Sequence, residues 1–243
     1  MKETFRSTSA FLRIRMTGIV TLAVAAALLY LAVPRYSVAY IALAAPLAIF
    51  DLQQGNHPSI EQLAQAEADI ETSLSYGVET ATLNSQLSYL TLSRLQLNDA
   101  ALEKPKDLRI AMLAVEAALK RRPLDAYLWT RYTHLRYLTE GFSPYVVAAL
   151  ERSFLYGPRE GELLQFRMTL CIEVWEKLPS SLQTSTLNQI ELAAAMTGLW
   201  GRVLADLSDP ARERLANFLG DASADIDKAQ RIAASIQRSR ARD

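Results

Sequence analysis

Apolar and polar residues alternate along this chain with a helical period almost from end to end. The longest apolar run comes first. MTGIVTLAVAAALLYLAV, Met16 to Val33, has no charged residue, and at ~1.5 Å per residue it reaches roughly 27 Å, near the ~30 Å hydrocarbon thickness of a bilayer. A second run, SVAYIALAAPLAIF, is fourteen residues long and contains Pro46. It is too short to cross comfortably and predicts a first helix of the folded body, lying near the membrane surface. From Ser59 the pattern is helix after helix. SIEQLAQAEADIETSLSYG opens on a Ser59–Gln62 capping box, sets Ile60, Leu63, Ile70 and Leu74 on one face and stops at Gly77. TATLNSQLSYLTLSRLQL puts Leu83, Leu87, Leu90, Arg94 and Leu97 at helical spacing. Pro105 starts a helix that ends before Pro123, Ser143-Pro144 starts one that stops at Gly157-Pro158, and a further helix is expected to run to Pro179. Two or three more fill 181–220, the last beginning at Ser208-Asp209-Pro210.

Pro123 and Pro158 lie 35 positions apart, close to the 34-residue tetratricopeptide period. Counted from Pro123, Trp129 falls on that repeat's tryptophan position and Tyr132 on the next apolar one. Leu150 and Ser153, counted back from Pro158, take the large and small positions of the second helix, as Ala111, Val115 and Ala118 do for the preceding unit. Residues 105–164 therefore resemble a tetratricopeptide repeat, in degenerate form: Thr133 stands where glycine is usual and Arg136 where tyrosine is usual. The fold expected is all-α, an N-terminal transmembrane helix followed by degenerate tetratricopeptide-like hairpins in a short α-solenoid. The resemblance implies that Trp129 packs in the repeat interface. It also implies that Tyr127, Thr130, His134 and Tyr137 face a concave, partner-binding side, joined by Glu162, Gln165, Thr169 and Glu173 of the next unit. The plainer reading is that these aromatics only cap the wet side of a packed helix, rings half buried and hydroxyls wet.

A narrower resemblance covers roughly 110–220. AALERSFLYGP, LLQFRMTLCIEVWEKL and the polar SSLQTSTLNQIELAA look like small membrane-anchored helical-repeat proteins of bacterial exopolysaccharide synthesis and export systems. It implies an accessory or scaffolding role toward protein partners of an envelope complex. A carbohydrate-binding accessory, stacking sugar rings on the Tyr/Trp/His surface, is the alternative.

Charge sets the topology. Lys2, Arg6, Arg13 and Arg15 precede the apolar run against one acid, Glu3; after Arg35 no Lys or Arg occurs until Arg94. The positive-inside asymmetry predicts a cytoplasmic basic tail over 1–15, a signal anchor over 16–34, an extracytoplasmic helical domain over 36–220 and a charged tail over 221–243. In a bacterium that is a single-pass inner-membrane protein with its body in the periplasm. Tyr30, Tyr36 and Tyr40 stand where an outer aromatic belt would be. A cleaved signal peptide is the rival, although Val33-Pro34 offers no small-x-small cleavage site, and a two-span hairpin is another.

Net charge is zero, with 26 basic and 26 acidic residues. The chain therefore lacks the cationic excess of nucleic-acid binders, and no nucleic-acid partner is expected. Its one cysteine, Cys171, and two histidines, His57 and His134, cannot supply a multi-ligand metal site, so neither metal nor cofactor is expected. Leu164, Met168, Cys171, Trp175 and Leu178 form an apolar face that makes Cys171 a core residue rather than a nucleophile. Carboxylates spaced two apart, such as Glu67, Asp69 and Glu71, read as solvated faces. No residue is assigned a catalytic role.

Overall fold

The computed structural model describes residues 3–56, 58–77, 80–97, 105–193, 197–219, 234 and 238, and among these there is no strand. The tail expected over 221–243, apart from those two positions, and His57 lie outside the described residues. The chain divides into two units, 1–103 and 104–243.

In the first unit, helix α1 runs Glu3–Ile41 straight through Pro34. Proline has no N–H to give the fourth carbonyl back, so the bond to Tyr30 is missing; one residue on, Arg35 Nη1 donates to the Leu31 carbonyl at 2.8 Å. The helix thus outlasts the span expected to end near Pro34. The described part of the apolar run is exposed throughout, and among the described residues one helical stretch, Met16–Gln53, which continues past the end of α1, is long and apolar enough to cross a membrane. Only the far end of α1 is rooted in the unit: Val38 and Ala42 are buried, and the Ser73 hydroxyl donates to the Val38 carbonyl at 3.3 Å. Helix α2, Ala44–Gln53, follows after two residues.

Helix α3, Ile60–Ser75, begins at the expected capping box. Ser59 N–H donates to Gln62 Oε1 at 2.8 Å, and Gln62 N–H donates to Ser59 Oγ at 3.2 Å. It packs against α1, α2 and α4, Ala81–Leu97. Glu67 is a correction to the solvated-face reading. It is buried between Leu63 and Ile70 on the inner stripe of α3, where Arg94 grips it with Nε to Oε1 at 2.7 Å and Nη2 to Oε2 at 3.1 Å. The Thr91 hydroxyl adds a third bond at 3.1 Å. A fork of two donors on one carboxylate is the geometry that lets such a charge leave water.

The second unit holds α5 Pro105–Arg121, α6 Ala126–Glu140, α7 Pro144–Tyr156, α8 Gly161–Glu173, a 3₁₀ turn Trp175–Lys177, α9 Ser180–Ala193, α10 Thr197–Asp206 and α11 Asp209–Leu219. Short connections set sequential helices against one another. Asp125 caps α6 by accepting from Tyr127 and Leu128 N–H, and Gly141 ends it at φ 70°, donating to the Tyr137 carbonyl. Such a positive φ suits glycine, which has no Cβ to clash. Ala111, Val115, Ala118, Leu150 and Ser153 are all fully buried.

The helix expected to reach Pro179 stops at Glu173 instead. Pro179 bars helical backbone at Leu178, which is extended at ψ 140°. Side chains also reach carbonyls at this break: Arg214 Nη1 donates to Ile172 O at 2.6 Å, and Gln183 Nε2 joins the Leu178 N–H on Trp175 O at 3.1 Å. Trp175 therefore leaves the helical face it was assigned, yet its ring still packs on Phe218 at 4.5 Å and against the cluster around Cys171.

Candidate functional site

The expected partner-binding residues lie on α6 and α8, which touch. Two contacts fix their register. The Tyr127 hydroxyl donates to Glu160 Oε2 at 3.0 Å, and the His134 imidazole stacks on Phe166 with centroids 4.4 Å apart. Toward the start of the two helices the face is open and acidic, with Tyr127, Glu160 and Glu162 at the surface. Partial burial, then Glu160 and Glu162, push the Tyr127 phenol up to about 12, because ionising it would place a third negative charge there.

Further along, the face is closed. The His134 ring is spent on Phe166, and burial pushes its pKa down to about 4. Tyr137 packs against the Val146–Leu150–Cys171 cluster. Thr130 is removed from the exposed set altogether: it is buried, and its hydroxyl donates to the Ala126 carbonyl at 2.8 Å while meeting Ser153 Oγ. Ser153 comes from α7, and its pairing with Thr130 joins the two helices from within.

The α8 residues divide in the same way. Glu162 is exposed. Gln165 bridges to α10, donating to Asp206 Oδ2 at 3.2 Å and accepting from Arg202 Nε at 2.9 Å. Glu173 accepts from Ser208 N–H at 3.2 Å, which holds the start of α11. Thr169 Oγ1 is buried with no hydrogen-bond partner among the described residues. Trp129 is half-buried, its indole N–H donating to the Pro123 carbonyl at 2.7 Å and its face covered by Arg152 at 4.5 Å.

The most heavily built polar group in this unit was not foreseen. Arg167 is completely buried. It donates from Nε to Ser153 Oγ at 2.9 Å, from Nη1 to the Gly157 carbonyl at 2.7 Å and from Nη2 to the Ser153 carbonyl. Since Thr130 gives its proton to Ala126 and Ser153 Oγ already accepts from Arg167, the proton between the two hydroxyls belongs to Ser153. The chain of donation runs from Arg167 through Ser153 and Thr130 to the α6 backbone. Burial pushes the guanidinium down to about 10, which leaves it charged at neutral pH. Gly157 is what lets this assembly close, since a Cβ there would sit 2.6 Å from Ala126 Cβ.

Cys171 is fully buried, and burial pushes its thiol up to about 12. With His134 pushed down, both groups have moved away from the thiolate–imidazolium state that an activated Cys–His pair requires. Among the described residues no group of three or more His, Cys, Asp or Glu could hold a metal ion. Comparison of the chain with protein-family models, curated proteins and solved structures finds no match to any of them.

Proposed function

We propose that the chain is a membrane-anchored, non-catalytic adaptor whose second unit carries partner proteins of a bacterial envelope polysaccharide system. The observation that carries the reading is α1: an uninterrupted apolar helix, exposed along its span and rooted in a helical unit only beyond Pro34. An exposed apolar helix of this length is at home in lipid rather than water. The basic residues before it support a cytoplasmic N-terminus and a periplasmic body.

The repeat reading draws support from register. Tyr127 meets Glu160 thirty-three positions on and His134 meets Phe166 at nearly the same offset, close to the tetratricopeptide period. The docking face is then the open end of the α6–α8 surface, at Tyr127, Glu160 and Glu162, which suits a basic partner segment. The polysaccharide setting rests on the sequence resemblance over 110–220.

Two measurements test this. A reporter active only outside the cytoplasm, fused at Asp243, gives signal, whereas activity from a cytoplasm-only reporter at the same site overturns the topology. Affinity capture from detergent-solubilised membranes recovers envelope protein subunits with the native chain and several-fold less with Glu160→Ala/Glu162→Ala. Equal recovery by that variant would move the docking face elsewhere.

A further inference from the structure

The chain beyond the span has two opposite faces. Val38, Ala42 and Ala45 are buried in the first unit. On the other side Tyr36, Tyr40, Leu43, Leu47 and Phe50 remain 73%, 70%, 58%, 63% and 57% exposed. Their spacing is four, three, four, three. At 100° per residue all five fall within about 40° of one direction, opposite the buried set. The exposed positions continue across the α1–α2 junction into α2. Ala42 N–H still bonds Val38 O at 3.0 Å; Leu43 and Ala45 N–H bond the carbonyls three back, Tyr40 and Ala42, at 3.3 and 3.2 Å, so the junction is one tightened turn with Leu43 at φ −63° and ψ −28°, and the buried and exposed sets keep their alternation across it. Tyr36 and Tyr40 already stack on one another along this stripe, 6.4 Å apart.

Lipid does not account for the whole stripe. From Val33 to Phe50 is seventeen residues, or ~25 Å of helix, whereas the headgroup layer on one side of a bilayer is only about 5–8 Å deep. The buried face of α1 and α2 packs along α3, so the stripe climbs away from the membrane with the body of the unit. A run of five large apolar side chains reaching past the headgroups needs protein to cover it.

We infer that this stripe is the seam of a parallel homodimer, joining a second copy of the chain along α1 and α2. The reading rests on the anchoring proposed above, because two copies held in one membrane face the same way and sit at the same height, so the same five residues meet in register. Four-three spacing is the a/d pattern of a two-stranded left-handed coiled coil. Of the flanking positions, Ser37, Ala39, Ala44 and Pro46 are small and uncharged; Asp51, beside Phe50, is the acid among them, and in a parallel pair it faces Pro46 of the other copy, so no like charges meet. Each side chain offers on the order of 100 Å² of apolar surface, which gives about 1,000 Å² for the pair of stripes, at the threshold for a specific interface. The apolar span running down from Tyr36 extends the same seam into the bilayer.

The test uses the full chain in its own membranes, with single cysteines placed by Tyr40→Cys, Leu43→Cys, Leu47→Cys or Phe50→Cys and an off-seam control, Glu61→Cys. Cys171 is fully buried and stays silent. Mild copper–phenanthroline oxidation yields disulfide-linked dimers at the four seam positions, at least five-fold above the control. Absence of linkage at all four in membrane-bound protein, or linkage as strong at Glu61→Cys, overturns the proposal. In the former case, protection of the Leu43 and Leu47 thiols from a membrane-impermeant maleimide assigns the stripe to lipid. Leu43→Glu/Leu47→Glu, which changes only exposed positions, converts a detergent-solubilised dimer to monomer by light scattering with unchanged helical circular dichroism; a persistent dimer refutes the seam. Loss of the native chain from the membrane fraction would instead break the anchoring, a separate readout.

Discussion

Each unit buries a charged side chain, and the two do so by different means. In the first, Glu67 and Arg94 neutralise one another across α3 and α4, with the Thr91 hydroxyl donating a further bond to Oε2. In the second, Arg167 lies deeper and its hydrogen bonds end on uncharged oxygens: one hydroxyl and two backbone carbonyls at the end of α7. The pair is held by opposite charge together with its two-donor fork. The lone guanidinium is held by geometry, since three acceptors must meet one planar fork. It also lies where helix dipoles leave partial negative charge, at the carbonyl end of α7. One arrangement fastens two helices by opposite sign; the other uses a cation to complete a helix terminus.

The largest effect separating the two is expected at Arg167. Arg167→Ala leaves a cavity and strips partners from buried carbonyls, which costs about 3–5 kcal/mol in chemical denaturation. Arg167→Lys recovers little of that, whereas Arg94→Lys keeps a charge opposite Glu67 and loses only the fork, at a cost of about 1 kcal/mol. Equal costs for the two lysine variants would erase the distinction between charge and shape.

Glu67→Ala comes next, at roughly 2–3 kcal/mol, because it leaves Arg94 half-buried without its counter-charge. Adding Arg94→Met restores part of the loss, so the double variant is more stable than Glu67→Ala alone. A double variant that is simply the sum of its parts would mean the pair contributes no coupling.

Gly157→Ala should cost about 1–3 kcal/mol through the Cβ–Cβ clash with Ala126. Ala126→Gly in the same chain removes that clash and leaves the second, with Glu160 Cγ at 2.8 Å, to the flexible Glu160 side chain; thermal melts of the single and double variants show a partial rescue. Without rescue, the close approach of α6 to the Arg167 cradle is not what requires glycine.

The smallest effect is in pH. His134 has a folded pKa near 4 against an ordinary value near 6.5, so the unfolded chain binds the extra proton first. Stability from this group is fully present above about pH 6.5 and falls as pH drops toward 4. The loss is on the order of 1–2 kcal/mol, less than the shift alone would give, because the residue keeps some contact with water. His134→Gln flattens that part of the profile; an identical slope in both proteins would mean that burial of the imidazole is not linked to folding.

The helix ends were legible because single residues enforce them. Ser59, Ser143-Pro144 and Gly157-Pro158 each act through local backbone chemistry, and each stands where it was expected. The buried charges were harder to see, although the pattern held their trace. Glu67 is four residues after Leu63 and three before Ile70, so it completes the apolar stripe of α3, and Arg94 does the same on α4. Arg167 has Leu163, Leu164, Leu170 and Cys171 at helical spacing on both sides. A charge framed by apolar residues at three and four positions belongs to the inner face; reading charges by type alone sends it to the surface. The face at Thr130, His134 and Tyr137 failed to be legible for a different reason. Helical register says which residues point the same way, but not whether a neighbouring helix such as α8, with Phe166, arrives to cover them.

The continuity of α1 into the first unit carries a mechanical consequence. No flexible linker separates the apolar run from the point where Val38 docks on α3; with that run immersed as proposed above, the unit cannot swivel independently of it and becomes the upper arm of a lever. Helices that exceed the local hydrocarbon thickness lean, and they straighten as the bilayer thickens. A ten-degree change in lean would sweep the far end of α2 sideways by ~4 Å, taking Phe50 as ~25 Å of helix above Val33. Bilayer thickness, sensed below, would thus be read out above as the attitude of a folded unit.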